Sequence, residues 1–324
     1  MLKPKLHKAS DLPNALLNNL ADRLRAGPPI VPKLRYFLTF SGVWLGWLWP
    51  ALVEHIQLYV FLGVVGTIGM AHGSLDHLVN QVDQSSKTGM FRFYAAYLIA
   101  TACVAVVWLM APLLGLGLFI ASSAYHFGQA EIPEHPNSSS FALWTQRFSW
   151  GMALLSLPVI VHGDALFLAL QDWDLQTTPE LLQVGGWASL LVAAVGYFGA
   201  ARLGSRTRLR GEESPSPVMP LLAWLCYAVL LCVTPPLWGF TLYFGIWHAW
   251  PALEHVAKAL KLSRARDWIN ALLPNYLPSF LATAAWVGLA SLWAPEYTVA
   301  GLLVLLSALT VPHTVVFERL YRKG

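Results

Sequence analysis

The sequence predicts an all-α, polytopic integral membrane protein with about ten transmembrane helices and both termini cytoplasmic. Three observations predict it. The 324 residues are 56% hydrophobic and only 12% charged, whereas an ordinary soluble domain is about 25% charged. The apolar residues gather into runs near the roughly 20 residues that a helix needs to cross a hydrocarbon core. Basic residues, finally, alternate across those runs as the positive-inside rule requires.

The runs lie at approximately 36–52, 55–80, 92–111, 113–130, 146–162, 183–201, 218–234, 237–257, 271–293 and 297–318. Their breaks fall at Pro50, the QVDQSSKTG loop, Pro112, the PEHPNSSS loop, the GDALFLALQDWDLQTTPE loop, the RTRLRGEESPSP loop, Pro235–Pro236, the KLSRARD loop and Pro295. No internal repeat is evident. One membrane domain over 36–318 is therefore expected, between a cytoplasmic segment, 1–35, and a cytoplasmic tail, 319–324.

Charge fixes the count and the orientation. With residues 1–35 inside, the segments that follow even-numbered helices are inside as well. All 21 Lys and Arg fall there: Lys3, Lys5, Lys8, Arg23, Arg25, Lys33 and Arg35 before the first helix, and the remainder around Lys87, Arg147, Arg206, Lys261 and Arg322. The outer segments carry Glu54, Asp164, Asp172, Asp174, Glu180 and Glu296. An error of one helix would scramble this partition. The net charge of +4 is thus a topology signal and offers little to a nucleic acid.

Residues 10–26, SDLPNALLNNLADRLRA, carry a stripe of Leu16, Leu17, Leu20 and Leu24 behind a Ser10 cap. A helix lying in the cytoplasmic interface and an amphipathic arm docked on the inner loops both fit. No charged-then-apolar leader with a small-residue cleavage site is seen, so the first spanning helix is expected to do the targeting. Cys103, Cys226 and Cys232 all lie within apolar runs. They spell neither a metal knuckle nor a disulfide framework.

Position sorts the ten histidines. His7 and His135 fall in inner polar segments, and His55 and His162 at outer helix ends. His72, His77, His126, His248, His255 and His313 remain within the apolar runs, where a polar side chain is costly and marks a functional site by default. His72, His126, His248 and His313 lie on the second, fourth, eighth and tenth helices, all running from outside to inside. At about 1.5 Å per residue they sit roughly 16 to 26 Å below the outer helix ends, in one layer. A single such histidine often only bonds a neighbouring helix; four at common depth suit one metal ion. Imidazoles accept iron, zinc, copper or nickel.

Neighbouring residues suggest support. Asp76 follows His72 by four residues, one turn along the same face, so it is placed to accept the second ring N–H of His72 and fix its tautomer. Gln129 and Glu131 are placed to do the same for His126. His77, five residues from His72, is turned roughly 140° away from it. Tyr125, Phe127, Phe244, Trp247 and Trp250 flank the candidate ligands and are expected to line a substrate site, although packing or an interfacial belt would also use them.

With HGSLD, YHFGQAE, FGIWHAW and VPH in chain order, the sequence resembles the Brp/Blh family, the bacterial and archaeal membrane-embedded β-carotene dioxygenases that make retinal for rhodopsins. The resemblance spans about Ile56 to Phe317. It implies a non-haem iron, Fe(2+), held by histidines, with dioxygen as co-substrate and central cleavage of β-carotene into two retinals. On that pattern His72, His126 and His248 match iron-binding positions. Such proteins typically carry another His four residues after the WH motif, where this chain has Ala252. His313 is then the preferred fourth ligand, with His255, about 10.5 Å beyond His248 along the helix, competing for that place and His77 behind them.

The expected function is oxygen-dependent β-carotene cleavage in the inner membrane, with the bilayer as the source of substrate and a retinal-binding rhodopsin as the user of product. A non-enzymatic carotenoid or retinal carrier is the main alternative, since aromatic lining serves either. A metal or proton transporter lacks an inverted repeat. The HxxxH and HxxHH boxes of a di-iron desaturase do not occur.

Overall fold

In a computed structural model of the protein, the described residues are 32–81, 87–132, 140–170, 177–207, 218–262, 265–293 and 298–321. Among them every regular element is a helix. The interfacial helix expected at 10–26 and residues 322–324 of the expected tail lie outside the described residues.

Three of the prolines that interrupt the apolar runs, Pro50, Pro112 and Pro236, begin helices, and Pro295 lies outside the described residues. α1 (Pro32–Leu48) is followed after Trp49 by α2 (Pro50–Val64), and Pro50 sits in the first turn, where its missing N–H has no helical partner to lose. The chain continues through a π turn, Val65–Gly69, into α3 (Met70–Gly73) and, past a turn at Ser74 and Leu75, α4 (Asp76–Gln81). α5 (Lys87–Met110), α6 (Pro112–Glu131) and α7 (Ser140–Val161) follow. Next come α8 (Gly163–Leu170), α9 (Pro179–Thr207), α10 (Val218–Val233) and α11 (Pro236–Leu242). A second π segment, Tyr243–Ala249, leads into α12 (Trp250–Ala259), before α13 (Ala265–Trp293) and α14 (Thr298–Tyr321).

Each expected apolar span overlaps one helix or a run of successive helical elements among the described residues. α8 is the exception. It forms within the stretch expected as a loop, because DALFLAL is apolar enough to coil behind Asp164 in its first turn yet too short to cross a membrane.

Among the described residues, four helices are long and apolar enough to cross a membrane: Pro50–Asn80, Thr88–Met110, Pro179–Arg202 and Leu303–Tyr321. The outer surface is equally apolar, with Leu109 and Met110 82% and 81% exposed and Phe91, Phe141 and Val192 also facing outward. An exterior so rich in large apolar side chains would be an extended sticky patch in water; it is the surface of a membrane protein.

Polar and small residues pack the interior. A Cβ on Gly128 would run into the backbone of Arg147, and one on Gly151 into the backbone of Ala124. These two glycines let α6 and α7 touch backbone to backbone, the close approach that small residues permit in membranes. Ser156 of α7 donates to Ser189 of α9 at 3.0 Å. Two apolar clusters flank the centre of the fold: Phe127, Leu154, Tyr227, Tyr243 and Trp247 in one, Leu75, Ala252, Val256, Val316 and Phe317 in the other. Between them lie four histidines.

Candidate metal centre

Each histidine reaches the centre from a different element. His72 is on α3, immediately after the first π turn; His126 is on α6; His248 is inside the second π segment; His313 follows Pro312 on α14. The π segments pack on each other: a Cβ on Gly69 would meet the ring of Phe244, and one on Gly245 the side chain of Val64. A π turn adds one residue to a helical turn and commonly marks a functional site. Here each one sets the angular position of a histidine close behind or within it.

All four side chains are buried, at 1 to 7% exposure. Ring centroids lie 4.7 Å apart for His126 and His248, 4.8 Å for His126 and His313, 4.9 Å for His72 and His313, and 5.7 Å for His72 and His248. Nitrogens of His72, His126 and His248 fall within 4.8 Å of one another. Imidazole nitrogens about 2.1 Å from one first-row metal hold neighbouring ring centroids roughly 5 Å apart. The arrangement fits a metal on a second ground as well. His126 Nε2, His313 Nε2 and His248 Nδ1 are buried with no hydrogen-bond partner, a state that costs about 1–3 kcal/mol per group unless a ligand answers it.

The opposite ring nitrogens are held. His313 Nδ1–H donates to both carboxylate oxygens of Asp76 at 2.8 Å, and Asp76 also accepts from the Tyr97 hydroxyl at 3.1 Å. His126 Nδ1–H donates to Gln129 Oε1 at 3.1 Å. His72 Nδ1 faces the carbonyl of Ile68 at 3.4 Å. Phe317 closes one side, 4.4 Å from His313 and 5.5 Å from His126 between centroids. Phe127 closes another, 4.8 Å from His248.

A cavity of about 600 Å³ opens onto all four imidazoles, walled further on by Phe61, Phe119, Phe240, Phe244 and Leu305. Its surface is mainly hydrocarbon, with the imidazoles as its main polar groups and Ser123, Ser279, Thr283, Thr310 and His77 also in the wall. Such a space suits an apolar ligand whose chemistry occurs at the imidazoles.

Several expected neighbours stand elsewhere. Asp76 pairs with His313 and not with His72, because the turn at Ser74 and Leu75 breaks the helix between them and cancels the one-turn register. His255 is exposed, donates its Nδ1–H to Pro251 O at 2.8 Å and lies against Tyr321; two turns of α12 carry it away from the cluster. Glu131 accepts from Tyr227 at 3.1 Å, since five residues of helix turn it well off the His126 face. Phe127 and Phe244 do line the cavity. Tyr125, Trp247 and Trp250 point instead to Glu318, Thr39 and Glu254, at 2.8 Å each. Residues next to a ligand in a helix are about 100° around from it, so adjacency in sequence was a poor guide.

Sequence reasoning also passed over Glu318 and Arg147. Glu318 accepts from Tyr125, from Gln129 Nε2 at 2.5 Å and from Arg147 Nη1 at 3.0 Å, and Arg147 is fully buried. An acidic residue at the inner end of an apolar run, just before the basic tail, was the available signal.

Residues 63–321 match the family described as Beta-carotene 15,15'-dioxygenase. The chain is 25% identical over 284 residues to "Probable beta-carotene 15,15'-dioxygenase Blh" of Halobacterium salinarum, covering 76% of this chain and 79% of that protein. It is also 25% identical over 274 residues to "Beta-carotene 15,15'-dioxygenase" of an uncultured marine bacterium, covering 81% and 93%. No solved structure gives a significant match.

Proposed function

Because the chain belongs to the Beta-carotene 15,15'-dioxygenase family, we propose that it cleaves the central double bond of β-carotene with dioxygen, giving two retinals, at a histidine-held Fe(2+) within the membrane. One observation carries the reading: buried imidazole nitrogens without partners belong to histidines that line a mainly apolar cavity. A carrier for carotenoid or retinal needs the cavity and not the nitrogens.

His72, His126, His248 and His313 would hold the metal, with His313 preferred for the fourth place over His255, which is exposed and bonded to its own helix. Asp76 and Gln129 accept the Nδ1–H groups of His313 and His126, which leaves the Nε2 lone pairs of those rings turned inward. Phe61, Phe240 and Phe244 lay the polyene along the cavity and keep water from the reacting bond. Iron, when bound, supplies the activation of dioxygen. The sum balances: one C=C and one O2 become two C=O, with no proton or external electron required.

In this reading the ten helices and helix sets are ten membrane spans of a multi-pass inner-membrane protein with cytoplasmic termini. Substrate enters from the bilayer, and a retinal-binding rhodopsin is the natural consumer of product. Expression in a β-carotene-accumulating bacterium tests the activity: cells should lose their orange colour and yield retinal on chromatography. Orange cells without retinal, in the presence of well-expressed protein, would overturn it in favour of a carrier.

A further inference from the structure

We infer that Glu318 is a positioning residue for His126: acting through Gln129, its carboxylate selects the imidazole tautomer that can bind metal. The inference rests on reading the four histidines as a metal centre.

Each link follows from donor and acceptor chemistry. Glu318 Oε2 is 3.0 Å from Arg147 Nη1, and a carboxylate held by a guanidinium is ionised and only accepts. Gln129 must therefore turn its amide nitrogen toward Glu318, and Nε2 is 2.5 Å from that oxygen. The carbonyl of Thr314, another pure acceptor, lies 3.3 Å from the same nitrogen and demands the same orientation. An amide whose nitrogen is so placed presents its oxygen the other way, and Oε1 is 3.1 Å from His126 Nδ1. A neutral imidazole facing an acceptor carries its proton there. The lone pair is left on Nε2, which is the buried nitrogen that has no partner.

His313 reaches the same state in one step, because Asp76 touches it directly. At His126 the charge stands one side chain further away, joined to Arg147 of α7 and Tyr125 of α6. The assignment of the Gln129 amide, ordinarily ambiguous, is here forced by two acceptors.

The proposal makes an inversion prediction. In Glu318→Gln the close charged acceptor is gone and only the more distant Thr314 carbonyl still favours the original orientation; the new amide can donate to Gln129 Oε1, which turns Gln129 over, offers N–H to His126 Nδ1 and moves the imidazole proton to Nε2. Metal affinity, measured with Co(2+) or Fe(2+) on the full chain in detergent, should fall roughly 10- to 100-fold, the range for partners of metal-bound histidines. Gln129→Leu keeps the Glu318–Arg147 pair but cuts the relay, and should fall similarly while thermal melting is little changed. The double variant Gln129→Glu/Glu318→Gln places an acceptor against His126 Nδ1 again, and should recover most of the affinity.

Nitrogen-15 histidine spectra of the metal-free protein supply a second readout. His126 should be the Nδ1–H tautomer in the wild type and in the double variant, and the Nε2–H tautomer in Glu318→Gln. Wild-type affinity in Gln129→Leu, or a double variant no better than Glu318→Gln, overturns the proposal. A wild type that binds no metal defeats the metal reading instead, and the tautomer spectra then decide the relay on their own.

Discussion

His313 and His255 part at the level of single contacts. The first is buried with Nδ1 on Asp76 and Nε2 without a partner; the second is exposed and bonded to its own helix. His313→Ala should abolish bound metal and retinal formation, whereas His255→Ala should leave metal content near the wild type, as metal analysis of purified protein will show. Asp76→Asn should lower metal affinity about tenfold or more, with the loss largest at His313. The sequence made His72, His126, His248 and His313 legible because polar side chains in apolar runs announce themselves. It did not make their partners legible. Regular helical spacing through Ser74 would make Asp76 a neighbour of His72, and Glu318 lies 189 positions from the Gln129 that it meets. Contacts of that range depend on how helices pack, and spacing carries no record of it.

At the scale of elements, helix ends were readable and helix irregularities were not. Pro50, Pro112 and Pro236 mark starts in the sequence and in the fold alike. The two π segments leave no such mark, since one extra residue in a turn is set by what packs beside it: Gly69 against Phe244, Gly245 against Val64. Gly69→Val should therefore push the Phe244 ring into the cavity and weaken carotenoid retention more than metal binding, compared by pigment and metal content of the purified protein. The α6–α7 crossing is less forgiving. Gly128→Leu drives a side chain into the Arg147 backbone, which cannot rotate away as a ring can, and should destabilise by about 3 kcal/mol; a lowered melting temperature together with lost metal, since His126 rides on α6, is the expected result.

For the molecule as a whole, the charge partition argues for ten crossings, and reporter fusions test it. Fusions at both termini should be active only for a cytoplasmic reporter, and a fusion near Asp172 only for an external one. The apolar exterior and the hydrocarbon cavity have a further consequence for kinetics. If both protein and polyene live in lipid, bulk volume is irrelevant to their encounter. Adding inert phospholipid at fixed enzyme and carotenoid should slow retinal formation roughly in proportion, while diluting the finished vesicles in buffer should leave turnover unchanged. The Michaelis constant of such a protein is a mole fraction in the bilayer, and the cell sets its rate by how much membrane it makes.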